Sequence, residues 1–364
     1  MACRTQLFAA TLALAGAGVS HAEPLRIATY DAELERRGPG LLLSDVLSGD
    51  EQVAAVIAVI ASVQPDVLLL NGFDHDYEGH ALAAFGDALE GAGLEFPHRF
   101  AARPNAGLAT GLDLDGNGRL GEARDAQGYG AFTGQGGMAV LSRFPLGEVR
   151  DFSAFLWADL PGAIPPAEDG APFPSAAAQA AQRLSSVAHW DVPVITDEGP
   201  LHLLAFNATT PVFDGPEDLN GRRNHDEIAF WQRLLDGALP FPPPAGAVVV
   251  IGNANLDPSD GDGRREAIRA LLADSRLQDP RPMSNGGALA VNPGQTGDPG
   301  LDTVDWSDPI PGNLRVDYVL PDARLDVAGA GVVWPAPDAP MGLTVETASR
   351  HRLVWVDVVF PEGG

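Results

Sequence analysis

The run Ala247-Val248-Val249-Val250-Ile251-Gly252-Asn253-Ala254-Asn255 decides the fold class. Four successive branched apolar residues with no polar alternation mark a strand buried on both faces, as in the middle of a covered sheet. The run then turns polar at its end, where sheet proteins gather the groups that face a cleft. Val67-Leu68-Leu69-Leu70 repeats the pattern and ends in Asn71-Gly72-Phe73-Asp74. Working outward, further strands are expected over 25–29, 137–143, 184–194, 201–207, 315–320 and 351–360. Helices are expected over 51–63, 80–89, 224–235 and 264–272, the third opening with Asn224 and Glu227 in capping-box register. Gly/Pro-rich loops separate them, with no internal repeat and no linker, so residues 23–364 read as a single mixed α/β domain.

Residues 1–22 read as an export signal: Arg4 ahead of an apolar stretch from Leu7 to Val19, then Ser20-His21-Ala22 as a small-x-small cleavage site. The sole cysteine, Cys3, lies inside it, so a secreted or periplasmic bacterial protein without disulfides is expected. No later segment has the length and apolarity of a membrane span. The charge is lopsided, 49 Asp and Glu against 23 basic residues, all arginine, for a net of −26. Such a surface repels a polyphosphate backbone, so non-specific nucleic-acid binding is not expected. A small anion such as a phosphate ester remains open as a partner.

Two candidate sites stand apart from the strand ends. Asp113-Leu114-Asp115-Gly116-Asn117-Gly118 matches the first half of a calcium loop, with Asp113, Asp115 and Asn117 at its ligand positions. The acid of the loop's last position is absent, Arg124 standing there with Glu122 and Asp125 nearby; a plain polar turn is the alternative reading. Arg222 and Arg223 at an expected helix start are candidate anion-binding groups, or else partners of Glu217, Asp218 and Asp226. His189 and Asp191 are candidate cleft-lining residues.

The polar strand ends Ala28-Thr29-Tyr30-Asp31, Leu70-Asn71-Gly72-Phe73-Asp74, Ala205-Phe206-Asn207, Gly252-Asn253-Ala254-Asn255 and Ser349-Arg350-His351, together with Gln135-Gly136-Gly137-Met138-Ala139 and Arg315-Val316-Asp317-Tyr318, carry a family likeness. Over about 25–360 the chain resembles the endonuclease/exonuclease/phosphatase superfamily, the DNase-I-like phosphodiesterases, in a bacterial secreted branch. The resemblance implies a four-layer α/β/β/α sandwich. It also implies hydrolysis of a phosphoester by an activated water, with a divalent metal (Mg²⁺ or Mn²⁺), a His–Asp pair, and Asn and Asp residues that orient water and phosphate.

Position by position, the resemblance leaves Asn255, Asp317 and His351 as the surviving catalytic set. Five family positions are substituted. Asp31 stands where the family has Asn, and Gly72 where it has the metal-binding Glu. Asn207 replaces a His, Asn253 replaces an Asp, and Arg350 replaces an Asp. On these positions alone the site moves about three charges toward positive, which at close range opposes a divalent ion by several kcal/mol. The leading expectation is therefore a pseudoenzyme with the fold kept and the hydrolytic site dismantled, now binding an anion, a metal or a partner, with Arg350 a candidate anion-binding group. The alternative is an active phosphoesterase with its metal re-sited on Asp31, Asp74 or Asp257. For Arg350, an ion pair with Asp31 is the competing expectation, and for Asp317–His351, a purely structural pair.

Overall fold

The computed structural model describes residues 23–361; the expected export signal lies outside the described residues. In chain order the strands are β1 (Leu25–Leu34), β2 (Val67–Phe73), β3 (His98–Phe100), β4 (Gly137–Ser142), β5 (Arg150–Asp151), β6 (Ala167–Glu168), β7 (Ala171–Pro172), β8 (Ala188–Thr196), β9 (Gly199–Asn207), β10 (Ala247–Asn253), β11 (Asp317–Pro321), β12 (Asp326–Val332) and β13 (Val354–Val359). The helices are α1 (Leu41–Ser48), α2 (Glu51–Val63), α3 (His80–Gly91), α4 (Ala176–Ala181), α5 (Leu219–Leu235), α6 (Glu266–Leu272), α7 (Asn285–Leu289) and α8 (Gly342–Ala348).

One sheet runs β12-β13-β1-β2-β4-β3 and the other β11-β10-β9-β8-β5. Among the described strands only β1–β2 and β9–β10 pair in parallel, and helices carry the chain back between them, as a parallel crossover requires. The pleat then sorts the side chains. Ile27, Leu69, Trp190, Leu203, Val249, Ile251 and Val356 meet between the sheets. The alternate residues Ala28, Tyr30, Leu68 and Leu70 pack under α1, α2, α3 and α8. Leu204, Phe206, Val248 and Val250 pack under α5 and α6. Four layers result, α/β/β/α, because each central strand is apolar on both faces and needs a cover on each. Among the described residues no single helix is long and apolar enough to cross a membrane.

Local chemistry explains the element ends. Asp50 caps α2 by accepting from the backbone N–H groups of Gln52 and Val53, and Gln64 closes that helix in the left-handed region. The expected cap at Asn224 is corrected: α5 starts five residues earlier, and Asn224 sits buried inside it. Its Nδ2 donates to the carbonyls of Thr209 and Ala254, both at 2.7 Å, tying the helix to the segments leaving β9 and β10. Glu227, also fully buried, accepts from the N–H groups of Ser186 and Thr209. The capping-like spacing thus marks two polar pegs that fix strand ends.

Removing the Asn224 peg leaves a buried carbonyl at Ala254 and a half-buried one at Thr209 without that donor. Asn224→Ala is expected to lower stability by about 2–4 kcal/mol, read as a lower urea midpoint at unchanged slope.

Candidate functional site

A cleft of about 330 Å³ opens where the ends of β1, β2, β9 and β10 meet the segment before β13. Its lining includes Asp31, Gly72, Asn207, Asn253, Asn255, Arg350 and His351, so all five substituted positions and two of the three survivors converge there. Asp317, the third survivor, stands directly behind His351.

A buried hydrogen bond between the two sheets forms the floor. Asn253 Nδ2, on β10, donates to Asp31 Oδ2, on β1, at 3.0 Å. Asn253 Oδ1 accepts from the backbone of Asn255 at 2.7 Å, and Asn255 Nδ2 is spent on the carbonyl of Ala208. Asn207 is buried at the end of β9, with its side chain on the cleft.

His351 Nδ1 lies 2.9 Å from Asp317 Oδ2, and that oxygen also accepts from Thr303 Oγ1. Asp317 Oδ1 is buried without a partner. Burial pulls the imidazole down, but Asp317, Asp31 and Glu33 together push it up to about 9. Asp317 is itself raised by burial, and His351 opposes that shift. The physically consistent state of the pair is imidazolium beside carboxylate, because three carboxylates surround one ring.

The backbone at Gly72 leaves no room for the glutamate that the resemblance implies there. Its φ is +63°, a conformation that L side chains rarely adopt, within an irregular stretch where β1–β2 and β2–β4 both shift register. A Cβ there would collide with Asp31 Oδ1 and lie 3.1 Å from Glu35 Oε2. The carboxylate oxygens of Asp31 and Glu35 thus converge on the space that a side chain at position 72 would fill. Asn71 Oδ1, in register beside Asp31, is buried and unpartnered.

Two acids missed from the sequence stand here. β1 does not end at residue 29; it runs on through Asp31-Ala32-Glu33-Leu34, bulging before Leu34 pairs with Phe73, and delivers Glu33 and Glu35 to the cleft. The signal was available, since acids at 31, 33 and 35 alternate with the buried Ala32 and Leu34. Glu35 is exposed as a residue, yet its carboxyl end lies over Gly72 among other carboxylates. Local desolvation, then Asp31, Glu33 and Asp74, push that carboxyl up to about 7.

Glu33 overturns the expected Arg350–Asp31 pair. Its carboxylate accepts from Arg350 Nε at 2.8 Å, from Arg350 Nη2, from the Arg350 backbone and from Ser349 Oγ. Burial raises the Glu33 carboxyl, and these bonds with Arg350 outweigh that and hold it below its ordinary range. The cation that replaced an acid is therefore matched by an acid. The charge count from the five motif positions omits Glu33 and Glu35 and overstates the positive shift.

Other expectations are placed elsewhere. Arg223 is buried, donating to the carbonyls of Gln127, Arg183, Leu184 and Ser185, so it is a structural clamp with no face toward an anion. Arg222 reaches the carbonyls of Glu217 and Ile164, outside the cleft. His189 is buried between Ser185 Oγ and the Glu227 carbonyl, and Asp191 between Arg150 and His202. Asp74 is held by the N–H groups of Arg36 and Gly136, and Asp257 by those of Ser259, Asp260 and Arg315. Of the three acids considered for a re-sited metal, only Asp31 lines the cleft.

In the separate acidic loop, Asp113, Asp115 and Asp125 bring carboxylate oxygens within 4.8 Å of one another. Asn117 is not the third member: its Nδ2 donates to Asp115 and Glu122, and its Oδ1 accepts from the Arg119 backbone.

Comparison with known proteins agrees with this fold. The model of the Endonuclease/Exonuclease/phosphatase family matches residues 35–351. The chain belongs to that family. Among solved structures it is similar to an endonuclease/exonuclease/phosphatase from Beutenbergia cavernae, at 19% identity and a TM-score of 0.54, covering 93% of this chain and 72% of that one. A family protein from Leptotrichia buccalis matches at 15% identity and a TM-score of 0.50, covering 92% of this chain and 100% of that one. No curated protein sequence matches.

Two outcomes test this geometry. Gly72→Glu, a reversion by position, is expected to cost about 2–5 kcal/mol, because it combines a disfavoured φ with a collision against Asp31; denaturant melts measure it. For His351 the folded pKa is raised above the ordinary value near 6.5. Its stabilisation is complete below that value and lost as pH rises through about 9. Stability should therefore fall across pH 6.5–9 by about 3 kcal/mol, and a His351→Gln variant should lack that slope.

Proposed function

We propose that this protein keeps the family's phosphate-ester cleft as a cation-dependent binding site whose hydrolytic turnover is strongly reduced. One observation carries the reading. The carboxylates of Asp31 and Glu35 converge above Gly72, while positions 207 and 253 carry amides. A seat for a cation is present where the proton-transfer groups are gone.

The donor set fits the family's ion. A hard divalent cation takes one or two carboxylates and completes its shell with carbonyl oxygens and water. Asp31 and Glu35 would hold it, and the orphaned Asn71 Oδ1 offers a neutral oxygen beside them. Bound there, a divalent ion neutralises phosphate charge and polarises the phosphorus centre. The chain's own donors toward a phosphate are the imidazolium of His351, the guanidinium of Arg350 and the Asn207 amide.

Turnover is another matter. An amide neither takes a proton from water nor gives one to a leaving group. General acid–base catalysis is worth about 10²–10⁴ per group, so replacing the family's groups at 207 and 253 removes on the order of 10⁴ or more. His351 keeps its orienting partner Asp317 and serves in electrostatic stabilisation. The export signal read over residues 1–22 would place this activity in the periplasm or outside the cell.

Manganese titration by calorimetry or electron paramagnetic resonance tests the cation seat. Glu35→Gln and Asp31→Asn should each weaken Mn²⁺ binding at least 10-fold; affinity unmoved by both variants removes the seat. Hydrolysis of bis(4-nitrophenyl) phosphate is expected to be slow with Mg²⁺ or Mn²⁺. Efficient turnover that collapses in His351→Ala would refute the reduced-turnover reading.

A further inference from the structure

Two aromatic side chains outside the family's motifs line the cleft, Tyr129 and Trp306. Tyr129 is a large ring left 72% exposed on a backbone that is itself locked. Its neighbours Gly128 and Gly130 are buried, and the Gly128 carbonyl and N–H bond to Gly107 and Asn105. A Cβ on Gly128 would run into the Ser186 carbonyl, so this turn is pressed flat against the start of the β8 segment. The ring is displayed by a rigid support.

Trp306 is held as firmly on the other side. It packs on Val304, Leu314 and Val316 and stands edge-on to the His351 ring, with centroids 5.7 Å apart at 86°. The Asp305 N–H donates to the Arg350 carbonyl, and Val304 bridges to His351, fastening the tryptophan's segment to the functional one.

Strand order says how the two rings relate. The lining near Tyr129 comes from the β4 and β8 sides of the sheets (Gly136, Ser186), and that near Trp306 from the β13 and β11 sides. Asp31, Gly72, Asn207 and Asn253 lie on the strands between. An aromatic wall therefore flanks the polar centre on each side.

We infer that the cleft is shaped for a phosphodiester carrying a flat aromatic group on each ester oxygen, its phosphate in the polar centre and its two rings on Tyr129 and Trp306. This rests on the cation-dependent phosphate site proposed above and adds the substrate class. Charge favours the same choice. A diester brings one negative charge and a monoester close to two, into a cleft already lined by Asp31, Glu33 and Glu35. Two arms also need two walls, which a monoester would leave half empty. The chain's net charge of −26 also disfavours non-specific attraction of a long polyanion relative to a small diester.

The test is calorimetric titration of the full chain, with Mn²⁺ present, against diphenyl phosphate, phenyl phosphate, dimethyl phosphate and inorganic phosphate. Diphenyl phosphate should bind tightest, by about 100-fold over dimethyl phosphate, since each of its two rings stacked on an aromatic side chain is worth about 10-fold. Tyr129→Ala and Trp306→Ala should each weaken diphenyl phosphate about 10-fold and leave dimethyl phosphate unchanged. Tyr129→Phe and Trp306→Phe should retain most of the affinity, which separates stacking from damage to the fold. Equal binding of diphenyl and dimethyl phosphate overturns the aromatic assignment while the cation-dependent cleft stands. Binding of none of the four in the presence of Mn²⁺ overturns both.

Discussion

The hydrogen bond from Asn253 to Asp31 holds the site together. It joins a central strand of one sheet to a central strand of the other at the point where both end, and it is buried, so neither partner has water as an alternative. By the family resemblance the amide belongs on β1 and the acid on β10; here they are exchanged. The bond survives the exchange because a donor and an acceptor still face each other. Its carboxylate, however, now sits beside Gly72, and that placement makes the missing glutamate tolerable. A residue at 72 with any side chain would compete with Asp31 for one volume. The glycine with its left-handed φ, the bulge in β1 and the placement of Asp31 and Glu35 fit together around one shared volume.

The extension of β1 also fixes Arg350. A lone guanidinium among amides would be an anion hook, whereas one fastened by Glu33 through Nε and Nη2 is a fixed edge of the cleft. Glu33 also accepts from Ser349 Oγ and the Arg350 N–H, so the segment presenting His351 is anchored to the extension of β1. Arg350 thus orders the cleft as well as lending it charge.

The layers were legible from the sequence because they depend on short-range pattern. Runs such as Val67–Leu70 and Val248–Ile251 can only be central strands, and the motif ends fell in one cleft as expected. What could not be read depends on contacts between distant segments. Arg223 has the sequence context of an anion site, but the structure surrounds it with four backbone carbonyls from 127 and 183–185. Asn224 and Glu227 have capping spacing, yet they bond to 186, 209 and 254. β12 is rich in Gly and Ala and shows no strong alternation, so its pairing with β13 was missed. Glu33 and Glu35 are the instructive omission. They alternate with the buried Ala32 and Leu34 in the sequence, but their place in the cleft depends on the bulge that carries β1 past residue 31.

Charge then distinguishes recognition from turnover. Within the cleft, Asp31, Glu33 and Glu35 outnumber Arg350 and the His351 imidazolium once Asp317 is counted behind the ring. A bare phosphate entering this field meets net negative charge, and an amide at 253 where the resemblance implies an acid does not change that sign. In the proposed reading a divalent ion on Asp31 and Glu35 would cancel it, because four carboxylates against two cations leave about two negative charges. In the reading proposed above, cation binding rests on Asp31 and Glu35 and proton transfer on positions 207 and 253, so the two functions would depend on different residues and could be lost separately.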